Sequence, residues 1–156
     1  MACLQFLQLQ QTNVEKLLNY LNSSYKNEKF SDTKIVVGKE GKIETIYANS
    51  FILKIRSKYF QSAFSKGWSR KVDEYFVIKK PNATPNSMII IIGFLYGVDF
   101  NTSYDMRALL DTFSLVDEMG TMVLRDGLKS YFIENIKTII SLEFIKIFIL
   151  YDDLKE

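Results

Sequence analysis

Histidine is absent from this chain of 156 residues. That one absence excludes Ser-His and Cys-His nucleophile activation and every His-ligated metal mechanism, because each needs an imidazole. The single cysteine, Cys3, can form no internal disulfide and fits a reducing compartment, cytosol or nucleus. Two prolines and seven glycines leave no room for a long flexible linker. Long apolar runs are missing as well. The longest, Met88–Tyr96 and the stretch near Phe144–Tyr151, fall far below the ~20 residues that span a bilayer. The N-terminus lacks a basic segment ahead of an apolar core, so no secretory signal is expected. The sequons at Asn22, Asn82 and Asn101 then read as chance matches.

Catalytic and ligand-binding patterns are equally scarce. No phosphate-cradling glycine loop occurs. The carboxylate pairs Asp73-Glu74, Asp117-Glu118 and Asp152-Asp153 are sequence neighbours, which do not face one way on a helix. Lysines are scattered, with Lys79-Lys80 the densest pair. The expectation is a protein without enzymatic activity, cofactor or metal, and with neither nucleic acid nor membrane as partner.

What is present suits one soluble domain with a short extension: 47% apolar and 24% charged residues. A chain this long buries roughly 68–70% of its unfolded surface without a disulfide or metal staple. Charge is uneven along it, +7 over residues 1–80 and −5 over 81–156, for a net +2. Such asymmetry can guide a partner or a second copy of the chain.

Thr12-Asn-Val-Glu15 matches a capping box, and Val14, Leu17, Leu18 and Leu21 follow at i, i+3, i+4 and i+7. The pattern predicts a helix over about 12–23 with a single narrow apolar stripe. Thr33–Val37 and Ile43–Tyr47 read as two strands of a hairpin turning through the glycines of 38–42. Phe51, Ile52, Ile55, Tyr59, Phe60 and Phe64 mark two short helices broken near Ser57. Tyr75–Ile78 is a third strand. Thr84-Pro85 opens a helix to about Tyr96, although its four successive isoleucines would suit a strand equally well. Ser103 is expected to cap the next helix and Gly120 to end it, with further helices over about 121–135 and 141–152. A short sheet flanked by a helical cluster is an α+β domain.

Several segments are similar to one family. Lys29-Phe-Ser-Asp32 before the first strand resembles the opening of a BTB/POZ domain, as does Ala48-Asn-Ser-Phe-Ile-Leu-Lys-Ile-Arg-Ser-Lys-Tyr-Phe60 followed by Gln61-Ser-Ala-Phe64. Phe94-Leu-Tyr96 resembles the aromatic-aliphatic-Tyr run that ends that family's third large helix, and Leu109-Leu110 through Asp117 the helix after it. The likeness covers about 12–136, preceded by a tail over 1–11. The stretch 137–156 resembles the start of the helical extension (BACK or 3-box) that follows such domains in ligase adaptors.

The resemblance implies a small sheet flanked by helices and a non-enzymatic protein-interaction function. It implies homodimerisation, with the Val14/Leu17/Leu18/Leu21 stripe lying across the two-fold axis and Asp32, Phe51 and Ile52 joining it; the alternative is that the stripe covers its own domain's core. It also implies an adaptor that brings a substrate to a cullin-RING ubiquitin ligase, with Phe64, Trp68, Ser69, Arg70 and Tyr96 facing the cullin. The family carries Glu where Arg70 stands, which favours the alternative of an oligomerisation scaffold that binds no ligase. Asn49 and Ser50 also depart from the family's His and its basic neighbour. They deprive Asp32 of its usual cation, so either Lys34, Lys54 or Arg56 replaces that cation or Asp32 caps a helix or turn.

Overall fold

In the computed structural model, a four-stranded sheet is built from two hairpins joined along their inner strands. The structure describes residues 2–39, 41–65, 70–98, 104–135, 137 and 140. The first hairpin pairs β1 (Thr33–Val37) with β2 (Glu44–Ala48) antiparallel, Ile35 opposite Ile46. The second pairs β3 (Arg70–Val72) with β4 (Tyr75–Lys80). β1 and β4 run parallel, with Ile35 opposite Ile78, giving the order β2-β1-β4-β3. Alternation decides which face is buried: Thr33, Ile35 and Val37 point inward with Ile46, Ala48 and Ile78. Lys34 and Val36 stay on the outer face, where the Lys34 ammonium sits 4.1 Å from the Tyr75 ring centroid and 5.6 Å from that of Tyr47.

β3 and its turn do not follow from the sequence pattern. Asp73 and Glu74 both take positive φ, 47° and 70°, the two-residue geometry that matches strand twist. They are the turn residues between β3 and β4.

The sheet's crossover runs through α2 (Ser50–Arg56) and α3 (Lys58–Ser65), broken at Ser57 as the spacing predicts. Ser57 is buried because its hydroxyl binds two elements at once. It donates to the Met119 carbonyl at 2.6 Å and accepts the Phe60 N–H at 3.3 Å. α4 (Pro85–Tyr96) is the central helix, with eight of its twelve residues buried. Burial on most sides explains why a run of isoleucines remains helical there. Its start is fixed by the Thr84 hydroxyl accepting Ser87 N–H at 3.3 Å, and its end by Gly97 in the left-handed region. α5 (Met106–Met119) packs on α4 and ends at Gly120, also left-handed. Its N-cap position is Asp105, which makes no side-chain capping bond; Ser103 lies outside the described residues.

The chain divides into two compact units, Met1–Thr121 and Met122–Glu156. In the second, α6 (Met122–Glu134) buries Leu124 and Leu128. The helix expected over 141–152 lies outside the described residues.

The first helix differs from expectation. α1 runs from Ala2 to Ser24, beginning ten residues before Thr12 and taking in the expected tail. The expected capping box is therefore not a helix start. Thr12 lies mid-helix, with its hydroxyl donating to the Gln8 carbonyl at 2.9 Å.

Candidate interaction surface

The most exposed apolar side chains of the first unit gather on α1 and α2. Val14, Leu17 and Leu18 are 56%, 59% and 42% exposed, and Phe51 and Ile55 are 65% and 63% exposed. α1, α2 and the end of α4 enclose a groove of about 300 Å³. Leu18, Phe51 and Ile55 form its rim, and Ile52, Leu95 and Tyr96 its buried floor. The C-terminal end of α1 is anchored. Leu18 lies against Gly97, where an added Cβ would sit 3.4 Å from its Cδ2. Tyr25, just past the helix, donates its hydroxyl to the Ile89 carbonyl at 2.8 Å and packs its ring 5.5 Å from that of Tyr96. Burial pushes the Tyr25 phenol well above its ordinary range, so it stays a protonated donor. The Val14–Leu18 stripe therefore does not cover its own core; Leu21, nearest the anchor, is half-buried.

Among the described residues, Asp32 beside this groove has no lysine or arginine in hydrogen-bond contact. Oδ1 accepts the Ser50 N–H at 2.6 Å and the Thr33 hydroxyl at 3.0 Å, and Oδ2 accepts the Ser50 hydroxyl at 2.6 Å. Burial pushes its carboxyl up, but these donors outweigh burial and hold it below the usual carboxylate value. Of the two alternatives, local capping is the one observed: Asp32 holds the first residue of α2. Asn49 is the N-cap of the same helix. Its Oδ1 accepts Phe51 N–H at 3.0 Å and its Nδ2 donates to the Phe30 carbonyl at 3.1 Å. Asn49 and Ser50 thus fix α2 by short-range polar bonds.

Other expected contact residues are distributed differently. Ile52 is 9% exposed and belongs to the floor of the groove rather than its rim. Tyr96 is 1% exposed, so its side chain cannot face a cullin; its hydroxyl accepts the Asn49 N–H and its ring fills the core. Phe64 is half-buried, its ring 5.3 Å from Phe76 and 6.5 Å from Phe60. Trp68 and Ser69 lie outside the described residues, and Arg70 opens β3. The Lys79-Lys80 pair is split. Lys80 is buried, bonded to Glu118 Oε1 at 2.5 Å and 5.1 Å from the Tyr59 ring centroid. Sequence reasoning missed Ile55 and Tyr25. Ile55 continues the α2 stripe by four residues from Phe51, a signal that was present; Tyr25 lies in a polar stretch that gives none.

A short mixed sheet, a broken crossover helix pair and a buried central helix define an α+β domain. A model of the BTB/POZ domain matches residues 21–136, and the chain belongs to that family. It is accordingly a protein-interaction domain. Two solved structures are similar. The BTB (Tramtrack and Bric a brac) domain of human Gigaxonin is 18% identical, with a TM-score of 0.60, covering 76% of this chain and 90% of its own. The BTB domain of zebrafish PATZ1 is also 18% identical, with a TM-score of 0.61, covering 80% of this chain and 94% of its own. At that identity they show the shared fold. No curated protein matches the sequence.

Proposed function

We propose that this domain self-associates as a homodimer through the α1–α2 face and thereby serves as a scaffold. The observation that carries it is the exposed Leu18, Phe51 and Ile55 on the rim of an apolar-floored groove, with Val14 and Leu17 exposed farther along α1. A band of that kind on a soluble domain marks an interaction site. A two-fold contact would cover it with its own copy, each helix rim meeting the other's groove. Sedimentation equilibrium tests this. The wild-type chain is expected to be dimeric at micromolar concentration, and Leu17→Asp with Phe51→Asp to be monomeric with unchanged helix content. A monomeric wild type overturns the proposal.

Ligase bridging is the second function the family resemblance suggests, with 137–156 as the start of the supporting extension after a domain ending at 136. Trp68 would be its anchor, since an indole filling a partner pocket is a strong contact. Arg70 opposes it by placing a cation where the family carries a carboxylate. A pull-down with a purified cullin N-terminal domain separates the two. Binding lost in Trp68→Ala supports the adaptor, and no binding at micromolar concentration leaves the scaffold alone. Either role fits a reducing compartment, cytosol or nucleus, as the lone Cys3 suggests.

A further inference from the structure

The outer face of the sheet carries cations beside an apolar groove. The alternation that buries Ile35, Val37, Ile46 and Ile78 turns Lys34, Val36, Thr45, Tyr47, Val77 and Lys79 outward. Register sets these in rows across the strands: Tyr47, Lys34 and Val77, then Thr45, Val36 and Lys79. Beyond the second row lies an open groove of about 520 Å³, lined by Val36, Gly38, Lys39, Ile43, Lys79 and Pro81. At Gly38 the lining is bare backbone by necessity. Gly38 takes φ 97°, and an added Cβ would collide with the Lys42 carbonyl oxygen. Val36, the exposed Ile43 and Pro81 make the rest of the lining apolar, apart from the two exposed lysines. Neither Lys39 nor Lys79 forms an ion pair among the described residues. The nearby carboxylates of the described residues lie elsewhere. Glu44 pairs with Val37 and so stands on the inner side of β2. Glu28 lies against Tyr47, and Asp73 and Glu74 precede Tyr75, all at the opposite end of the face.

We propose that this groove binds an acidic peptide segment of a partner protein, seating an aliphatic side chain over Val36 and Gly38 with its carboxylates on Lys39 and Lys79. The site is on the outer sheet face and needs no self-association through α1 and α2. Charge complementarity selects the occupant. Two cations without carboxylates, set in an apolar lining, call for a ligand that is anionic and apolar at once. The +7 balance of residues 1–80 adds a field that draws an acidic chain toward this half of the protein. The Lys79-Lys80 pair divides the labour: Lys80 turns inward to Glu118, and Lys79 faces out to the groove. A nucleic-acid strand is the poorer fit, because it needs rings on which bases can stack. No aromatic residue is among those lining the groove, and the Lys34 ammonium already lies against the rings of Tyr47 and Tyr75.

Fluorescence anisotropy of the full-length protein tests it. The probe is a fluorescein-labelled peptide of about eight residues, aspartates around a central pair of leucines, long enough when extended to cross the groove. Saturable binding is expected, weakened by added salt. Lys39→Glu with Lys79→Glu should weaken it about tenfold or more, because attraction becomes repulsion at both contacts. Lys129→Glu with Lys137→Glu makes the same change of net charge on α6 and just beyond it, and should leave the constant within about twofold. Replacing the aspartates of the peptide by asparagine, or its leucines by glycine, should each cost most of the affinity. Unaltered helix content by circular dichroism shows that the variants are folded, and both charged sites are exposed, so they should be. Absence of binding up to about 1 mM peptide overturns the proposal. So does equal loss in the two lysine pairs, which is long-range charge alone, or equal binding of the asparagine peptide, which is general stickiness. A single-stranded oligonucleotide that binds more tightly and displaces the peptide overturns it in favour of nucleic acid. None of these results bears on the dimer, whose test is sedimentation.

Discussion

The Tyr96 hydroxyl accepts the backbone N–H of Asn49 at 2.6 Å, joining the end of α4 to the residue that caps α2. Tyr96 is almost fully buried, so this bond has little water to replace it. Tyr96→Phe keeps the ring but leaves a backbone donor without its partner. A loss of about 1–3 kcal/mol is expected, the usual cost of an orphaned buried polar group, read from the midpoint of urea unfolding. An unchanged midpoint would mean that water satisfies Asn49. Because Tyr96 presents no surface, the variant should leave the oligomeric state as it is.

Asp32 is expected to make the domain sensitive to acid. Its carboxyl is held below the ordinary value in the folded state, chiefly by the Ser50 hydroxyl and N–H acting against burial. A group depressed on folding contributes fully above its unfolded value, near 4, and that contribution disappears as pH falls through the folded value. Stability measured by denaturant unfolding should therefore fall below about pH 4 in the wild type. Asp32→Asn should start lower at pH 6 and show a shallower decline. Parallel curves for the two proteins would remove Asp32 as a cause.

Ser50→Ala deletes the hydroxyl bonded to Asp32 Oδ2 and keeps the N–H on Oδ1. A bond to a charged acceptor of this kind is worth about 1.5–3 kcal/mol. The expected loss lies at the lower end, because Asp32 is only half-buried. Ser50→Thr should recover part of it. Failure of Thr to recover any would point to packing at this buried site.

The β3–β4 turn carries removable strain. Glu74 at φ 70° pays the left-handed penalty of a residue with a Cβ, about 1–2 kcal/mol. Glu74→Gly should raise the unfolding midpoint, by less than that full amount because glycine also loosens the unfolded chain. A drop in stability would show that the glutamate side chain makes a compensating contact.

How much of this was legible follows from where the signals are local. β1 and β2 were readable because β-branched residues flank glycines that take positive φ, Gly38 at 97° and Gly41 at 90°. α4 was readable despite its isoleucines because Thr84, Pro85 and Gly97 punctuate both ends. β3 was not, since an Asp-Glu turn carries no Asn-Gly signature and the strand is three residues long. The start of α1 was misplaced because Thr12-x-x-Glu15 imitates a cap. The match is sequence-deep only: Thr12 is bonded backward to Gln8. For the candidate surface, residue types pointed to Val14, Leu17, Leu18 and Phe51, all of them exposed. They could not tell rim from floor, because Ile52 and Tyr96 look as able to face a partner as Phe51 until α4 is placed behind them.

The parallel pairing of β1 with β4 has a consequence for synthesis of the chain. Each hairpin is local, but their shared boundary joins Thr33–Val37 to Phe76–Lys80. While the ribosome is still building the crossover, β1 holds one partner and one bare side, and that side is the middle of the finished sheet. The nascent polypeptide must therefore emerge past Lys80 before β1 is sealed on both sides, which makes translation of residues 38–80 the interval in which a chaperone or a neighbouring chain could capture it.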